Sequence, residues 1–307
     1  MFRRQAVYCD GRSPLYAELC RRLAADPRVG GIAPDLHWDL PLRLLSGLHY
    51  LVLAGDASWE ELDAALDRQA DFLARWTAEQ DVQTKEVQRG WALLPGFLSI
   101  VDGRPFDLLE LGSSAGLNLL WDRYRYLYST GAWGESALEL SGDDRVPPPA
   151  VLLDRWVEVA RRRGIDLSPV DATSERGARI LQSFVWADQS DRLERLRRAI
   201  DVVREDPPEL MRGDYVDSLP DLLADHIEGT QLVVFQTAST MYLHDDGLRR
   251  LRGALHEAAL SEPSTNLGTA RGPDDGGFTL ELERWPGGAR KRLGVFDFHG
   301  DWLEWGG

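Results

Sequence analysis

The residues best placed to do chemistry in this 307-residue chain form a short turn, Gly112-Ser113-Ser114-Ala115-Gly116. It follows the apolar run Phe106-Asp107-Leu108-Leu109-Glu110-Leu111 and leads into Leu117-Asn118-Leu119-Leu120. Apolar run, small-residue turn and apolar segment predict a strand, a tight turn and a helix. Small residues let the backbone turn sharply and approach a ligand, and a helix starting there offers free N–H groups and a positive dipole end. The spacing Gly112-x-Ser114-x-Gly116 suits a nucleophile elbow, with Ser114 attacking an acyl group and His299 late enough in the chain to serve as base. Against that, the residues before the turn read as helices and contain no His-Gly segment for an oxyanion hole. A dinucleotide turn needs G-x-G-x-x-G; here Ser114 holds the middle glycine position and the third glycine is displaced.

A nucleoside ligand also needs carboxylates at neighbouring strand ends to accept from ribose hydroxyls. Gly164-Ile165-Asp166-Leu167-Ser168-Pro169 offers Asp166, much further on than the roughly 20 residues usual in dinucleotide sites. Ala137-Leu138-Glu139-Leu140 offers Glu139 at better spacing and in a poorer sequence. Preferring Asp166 makes an insertion of residues 125–160, which include Pro147-Pro148-Pro149. Glu209 to Arg212 reads as a third strand running into Gly213-Asp214, where the carboxylate either accepts from an adenine amino group or caps a helix. Leu232-Val233-Val234-Phe235 is unbroken, as a strand buried on both faces requires, and it brings Gln236 and Thr237 to the crevice that Gly112 faces.

With Glu110 closing the strand before it, the turn resembles the S-adenosylmethionine site of Rossmann-like methyltransferases. There an acidic strand end and a G-x-x-x-G turn cradle the methionine and ribose end of the cofactor. The resemblance implies cofactor contacts from Glu110, Gly112, Ser113, Ser114, Ala115, Gly116 and Asn118, and then from Asp166, Asp214, Gln236 and Thr237 at later strand ends. Upstream, Gln83-Thr84-Lys85-Glu86-Val87-Gln88-Arg89 reads either as a solvated helix start capped by Thr84 or as a cleft wall. As a wall, Gln83 and Thr84 meet the substrate, Glu86 accepts a proton and Arg89 binds a carboxylate. The reading that follows is methyl transfer to a small molecule; the alternative is a cofactor-binding or interaction module without catalysis.

These residues need a scaffold, and the rest of the chain describes one. Ser13-Pro14 caps a helix with a Leu15, Leu19, Leu23 stripe, and Leu42, Leu45, His49 and Val52 mark another. Ser58 with Glu61 reads as a capping box opening a third, through Leu62, Leu66, Leu73 and Trp76. No strand is evident before about residue 100. Asp188-Gln189-Ser190 opens an amphipathic helix, a further helix covers Asp245 to Ala254, and His256 to Leu260 suits either a fifth strand or more helix. Phe278, Leu280 and Leu282 alternate with polar residues before Pro286-Gly287-Gly288, and Leu293 to Phe298 returns, which predicts a hairpin. The expected class is α/β: a helical region over 1–100, then a Rossmann-like methyltransferase fold over 101–307, its mostly parallel sheet closed by a C-terminal antiparallel hairpin.

Composition narrows the partners. The net charge of −15 disfavours a phosphate backbone, so nucleic acid is not expected, and it suits a cationic sulfonium. No apolar run is long enough for a bilayer and no signal peptide is recognisable, which predicts a cytoplasmic protein with no membrane partner and an open oligomeric state. Cys9 and Cys20 read as reduced core residues, and the six histidines lack metal-binding spacing. Arg161-Arg162-Arg163 reads as a solvated face. Finally, Gln83 to Val87 with Arg89, Gly112 to Leu119, Asp122 to Tyr126, Gly164 to Asp171, Val185 to Gln189, Arg212 to Asp214 and His299 to Trp302 together resemble an uncharacterised family of bacterial domain-of-unknown-function proteins. Members have Asn where Lys85 stands and Pro where Ala187 stands. The family carries no activity to transfer.

Overall fold

The computed structural model describes residues 1–34, 37–83, 86–261, 263–271 and 277–306. They form two compact units, one of residues 1–85 with 170–200 and one of residues 86–169 with 201–307. The units interleave along the chain, so their division does not coincide with the sequence boundary at residue 100.

The first unit is helical. Ser13 caps the helix Pro14–Leu23 as its pattern requires, accepting from the Tyr16 N–H at 3.1 Å, and its own hydroxyl donates to Asp188 at 2.7 Å. Trp186 stacks on Tyr16 with ring centres 5.7 Å apart, and the Val185 carbonyl meets Nδ1 of His49 at 2.9 Å. The Val185 to Gln189 motif therefore serves packing in this unit. Burial pulls the His49 imidazole down to about 4, so it is a neutral core residue at physiological pH. Cys9 and Cys20 are free and buried in the same core as Leu44, Leu48, Leu66 and Leu73. The Ser58 capping box does not form. The Ser58 hydroxyl turns to the Glu60 carboxylate, the helix begins at Leu62, and Gln69 separates Leu62–Arg68 from Ala70–Glu79.

The second unit is built on strands β1 (Phe106–Leu111), β2 (Arg125–Tyr128), β3 (Gly131–Trp133), β4 (Glu139–Ser141), β5 (Asp143–Val146), β6 (Val159–Asp166), β7 (Glu209–Arg212), β8 (Gln231–Gln236), β9 (Ser264–Arg271), β10 (Gly277–Trp285), β11 (Ala289–Asp297) and β12 (Trp302–Trp305). Among the described residues nine of them form one sheet, in the order β5-β12-β11-β10-β9-β8-β1-β6-β7. The five strands β7, β6, β1, β8 and β9 are parallel, and β10, β11 and β12 follow antiparallel. β1 and β8 are buried at every residue, as central strands covered on both faces must be. The chain leaves β1 towards β6 and β7, then returns to the other side of β1 as β8 and β9. That reversal makes a topological switch point at the C-terminal ends of β1 and β8, the place where open α/β sheets bind ligands.

Two expectations change, and two alternatives that the sequence left open are decided. The segment after the glycine turn is a 3-10 helix, Leu117–Arg123, broken at Leu120, and not the α-helix the pattern suggests. His256 continues the helix Asp245–Ala258, and the fifth parallel strand is β9. Glu139 lies exposed on β4 in a separate sheet of order β3-β2-β4, away from the large sheet's strand ends, whereas Asp166 closes β6 beside β1. The Arg161 to Arg163 run is no solvated face: its side chains are 17%, 13% and 2% exposed and paired with Asp107, Asp122 and Asp225. Among the described residues no helix is long and apolar enough to cross a membrane.

Candidate functional site

The site grows out of the end of β1. The carboxylate of Glu110 is buried beside Asn118, whose amide donates to it. Beyond Leu111 the chain takes left-handed backbone at Gly112, Ser114 and Gly116, with φ of 74°, 52° and 71°. Gly112 is needed for close approach as well as for φ, because a Cβ there would lie 2.4 Å from the Ser239 Cβ. Ser239 follows β8 and donates to the Leu111 carbonyl at 2.6 Å, so the turns after β1 and β8 lock together. Gly164 likewise leaves room for Ser113, whose Oγ would stand 2.5 Å from a Cβ at that position.

What the turn offers a ligand differs from the sequence expectation. Four of its five N–H groups are already used: Gly112 and Ser113 donate to the Ile165 carbonyl at 2.8 and 3.2 Å, Gly116 to the Ser113 carbonyl at 2.8 Å, and Ser114 to Asp166 Oδ2 at 2.8 Å. Asp166 also accepts from the Ser168 N–H at 2.8 Å, so it ties the ends of β1 and β6 together. In contrast, Glu110 Oε2, Ser113 Oγ and Asn118 Oδ1 are buried without a hydrogen-bond partner among the described residues. Burial pushes the Glu110 carboxyl well above its ordinary range; the Asn118 amide opposes that, the Asp166 charge adds to it, and the Arg89 charge opposes it. The end of β1 is therefore rich in acceptors and poor in free N–H donors. That favours a ligand bearing hydroxyl or cationic groups over a pyrophosphate.

The remaining candidates divide. Arg89 opens the helix Arg89–Ser99, donates from Nε to the Phe298 carbonyl at 2.7 Å, and sets its guanidinium 5.5 Å from the Phe278 ring centre. Glu86 and Gln83 are buried, Glu86 in the unit of the sheet and Gln83 in the helical unit, and Thr84 lies outside the described residues. Asp214 follows β7 and caps the helix Tyr215–Ala224 through the Val216 N–H at 2.8 Å. Next to it, burial pushes the Tyr215 hydroxyl up to about 12 despite its hydrogen bond with Ser239. Ala115 is buried inside the turn, and Thr237 is buried just past the end of β8. Gln236 donates from Nε2 to the Thr269 carbonyl at 2.9 Å and lines a cavity of about 270 Å³ beneath the helix Asp245–Ala258.

Two groups were not visible as sites in the sequence. Asn266, Glu281, Glu283 and Arg290 share that cavity with Gln236. Glu281 and Glu283 belong to the polar half of the β10 alternation, which the helix Asp245–Ala258 covers, whereas Asn266 comes from β9 and Arg290 from β11. Asp297, His299 and Asp301 bring possible ligand atoms within 4.8 Å of one another on alternate residues, a spacing that a search for histidine pairs misses. Asp297 Oδ1 already accepts from the N–H groups of His299 and Asp301 at 2.7 and 2.8 Å, which shapes the loop that seats Gly300 against the Gln88 carbonyl.

A helical unit, and a second unit with a large mixed sheet whose β1 end carries buried unpartnered polar atoms, define the class. The chain belongs to a family described as "Uncharacterized protein conserved in bacteria (DUF2332)", which matches residues 1–305. Comparison with curated proteins and with solved structures finds no match.

Proposed function

We propose that this protein binds S-adenosylmethionine at the C-terminal end of β1 and transfers its methyl group to a small molecule. The observation that supports this most is the group of buried, unpartnered acceptors at Glu110, Ser113 and Asn118, beside a turn whose N–H groups are largely used. Glu110 and Asn118 suit the donors of an ammonium or hydroxyl group, and Asp166 keeps lone pairs beyond its two backbone bonds for ribose hydroxyls. Asp214, Gln236 and Thr237 complete the proposed cofactor contacts from β7 and β8.

When bound, the sulfonium supplies an already activated methyl group, so the protein's part is alignment and exclusion of water. Glu86 is the proposed proton acceptor and Arg89 the proposed contact for an acceptor carboxylate. Calorimetric titration with S-adenosylmethionine and S-adenosylhomocysteine tests the reading: saturable binding weakened by Asp166→Asn supports it, and no heat at millimolar ligand overturns it. Binding without transfer to a panel of metabolites leaves a non-catalytic module.

One observation favours a second reading. Ser114 is a non-glycine residue at φ 52°, as the serine of a nucleophile elbow must be, and His299 pairs with Asp297 at 3.8 Å. A serine-directed phosphonate labelling Ser114 would establish that hydrolase reading; an unlabelled Ser114 removes it.

A further inference from the structure

The cavity beneath the helix Asp245–Ala258 is a built site of its own, and of the residues argued from here only Gln236 is also used by the methyl-transfer reading. It lies over β8, β9 and β10, whose register places Gln236 opposite Gly268, and Gly268 opposite Glu281. Gly268 matters here because a Cβ would stand 2.9 Å from the Gln236 amide nitrogen.

Two carboxamides are oriented by their partners. Gln236 donates from Nε2 to the Thr269 carbonyl, and Asn266 donates from Nδ2 to Glu283 at 3.3 Å. Both partners only accept, so neither amide can be turned around, and the acceptor atoms Gln236 Oε1 and Asn266 Oδ1 are left buried without a partner among the described residues. Gln236 is 5% exposed, which makes an unmatched acceptor there costly.

The charges in the same cavity are balanced. Glu283 is held between Arg252, at 3.1 Å, and Arg290, and this set carries one net positive charge. Glu281 lines the cavity too and restores neutrality. Each guanidinium has five N–H donors, more than its bond to Glu283 uses, and the two arginine side chains are 42% and 49% exposed. Spare donors therefore stand at the mouth and spare acceptors at depth. Leu248, Leu251 and Leu255 supply an apolar wall.

We infer that this cavity binds a small apolar α-amino acid or an equivalent zwitterion, its ammonium against Gln236, Asn266 and Glu281 and its carboxylate against Arg252 and Arg290. A neutral cavity with separated donors and acceptors suits a neutral ligand with separated charges better than a simple amine or a simple acid. The volume of about 270 Å³ limits the ligand to that size class.

The test uses the whole chain without added cofactor, so it does not depend on the methyl-transfer reading. Leucine is titrated by calorimetry beside isoamylamine, which lacks only its carboxylate, and isocaproate, which lacks only its ammonium. Leucine should bind, with each truncated analogue weaker by about tenfold or more. Asn266→Leu should weaken leucine and isoamylamine but not isocaproate, and Arg290→Leu should do the reverse, with thermal unfolding confirming that both variants fold. No saturation at millimolar leucine, equal binding of either analogue, or variants that leave leucine binding unchanged would each overturn the proposal.

Discussion

Asp107 and Glu110 stand three residues apart on β1, and both are buried, yet the molecule treats them in opposite ways. Burial pushes Asp107 up, but the Arg161 guanidinium, the Ile227 N–H and the Arg163 charge outweigh it, and its carboxyl ends below the usual range. His226 adds a further contact at 3.3 Å. At Glu110 burial and the Asp166 charge outweigh the Asn118 amide and the Arg89 charge, and its carboxyl ends well above that range. The N-terminal end of the parallel sheet is thus compensated and serves stability, while the C-terminal end keeps an acid whose burial outweighs the Asn118 amide and the Arg89 charge. An uncompensated buried acid destabilises the fold at neutral pH, so its presence at the strand end where such sheets bind ligands points to function.

The contrast can be broken at either end. The largest effect is expected from Asp107→Asn, which removes the buried counter-charge of Arg163, 2% exposed, and leaves it only the exposed Asp225. Denaturant unfolding should show a loss of about 3 kcal/mol or more. Gly112→Ala comes next, at about 2 kcal/mol, because the new Cβ meets Ser239 at 2.4 Å in a left-handed backbone. Ser239→Gly in the same chain should restore part of that stability, and no restoration would mean that φ alone sets the cost. Asp166→Asn, which weakens the ties to the Ser114 and Ser168 N–H groups, should lower S-adenosylmethionine affinity by about tenfold in calorimetry.

The smallest and most discriminating effect is in pH dependence. Glu110 has a raised folded pKa, so its contribution is present below the ordinary carboxylate range and lost as pH rises through the raised value. Asp107 has a depressed folded pKa, so its contribution is present above that range and lost as pH falls through the depressed value. Glu110→Gln should therefore gain stability over the parent chain as pH rises from about 5 to about 9, measured by thermal unfolding, and Asp107→Asn should not. A cation binding beside Glu110 should also release a proton, so binding enthalpies measured in buffers of different ionisation heat should differ. Equal enthalpies would separate Glu110 from the ligand.

Local chemistry made much of this legible. Ser13 caps its helix, β1 and β8 are buried throughout, and the β10–β11 hairpin forms where alternation and Pro286-Gly287-Gly288 place it, because each depends on residues near in sequence. Asp166 could be picked out only by its flanking motif, and its position beside β1 comes from a strand pairing that spans the insertion. The arginine run on β6 was misread because its solvation depends on Asp107 of β1 and Asp225 beyond the helix Tyr215–Ala224. The cover over the polar face of β10 is decided in the same way, since it comes from a helix of this unit.

The sequence by itself determined the strands β1 and β8, the Ser13 cap and the β10–β11 hairpin, and that a small-residue turn follows an acidic strand end, because short-range sterics and apolar periodicity decide these. Only the tertiary structure decided which polar groups are matched. Whether a buried carboxylate is ionised, or an amide oxygen is left without a donor, depends on what other strands and helices bring within about 3 Å, and that is not written in spacing along the chain.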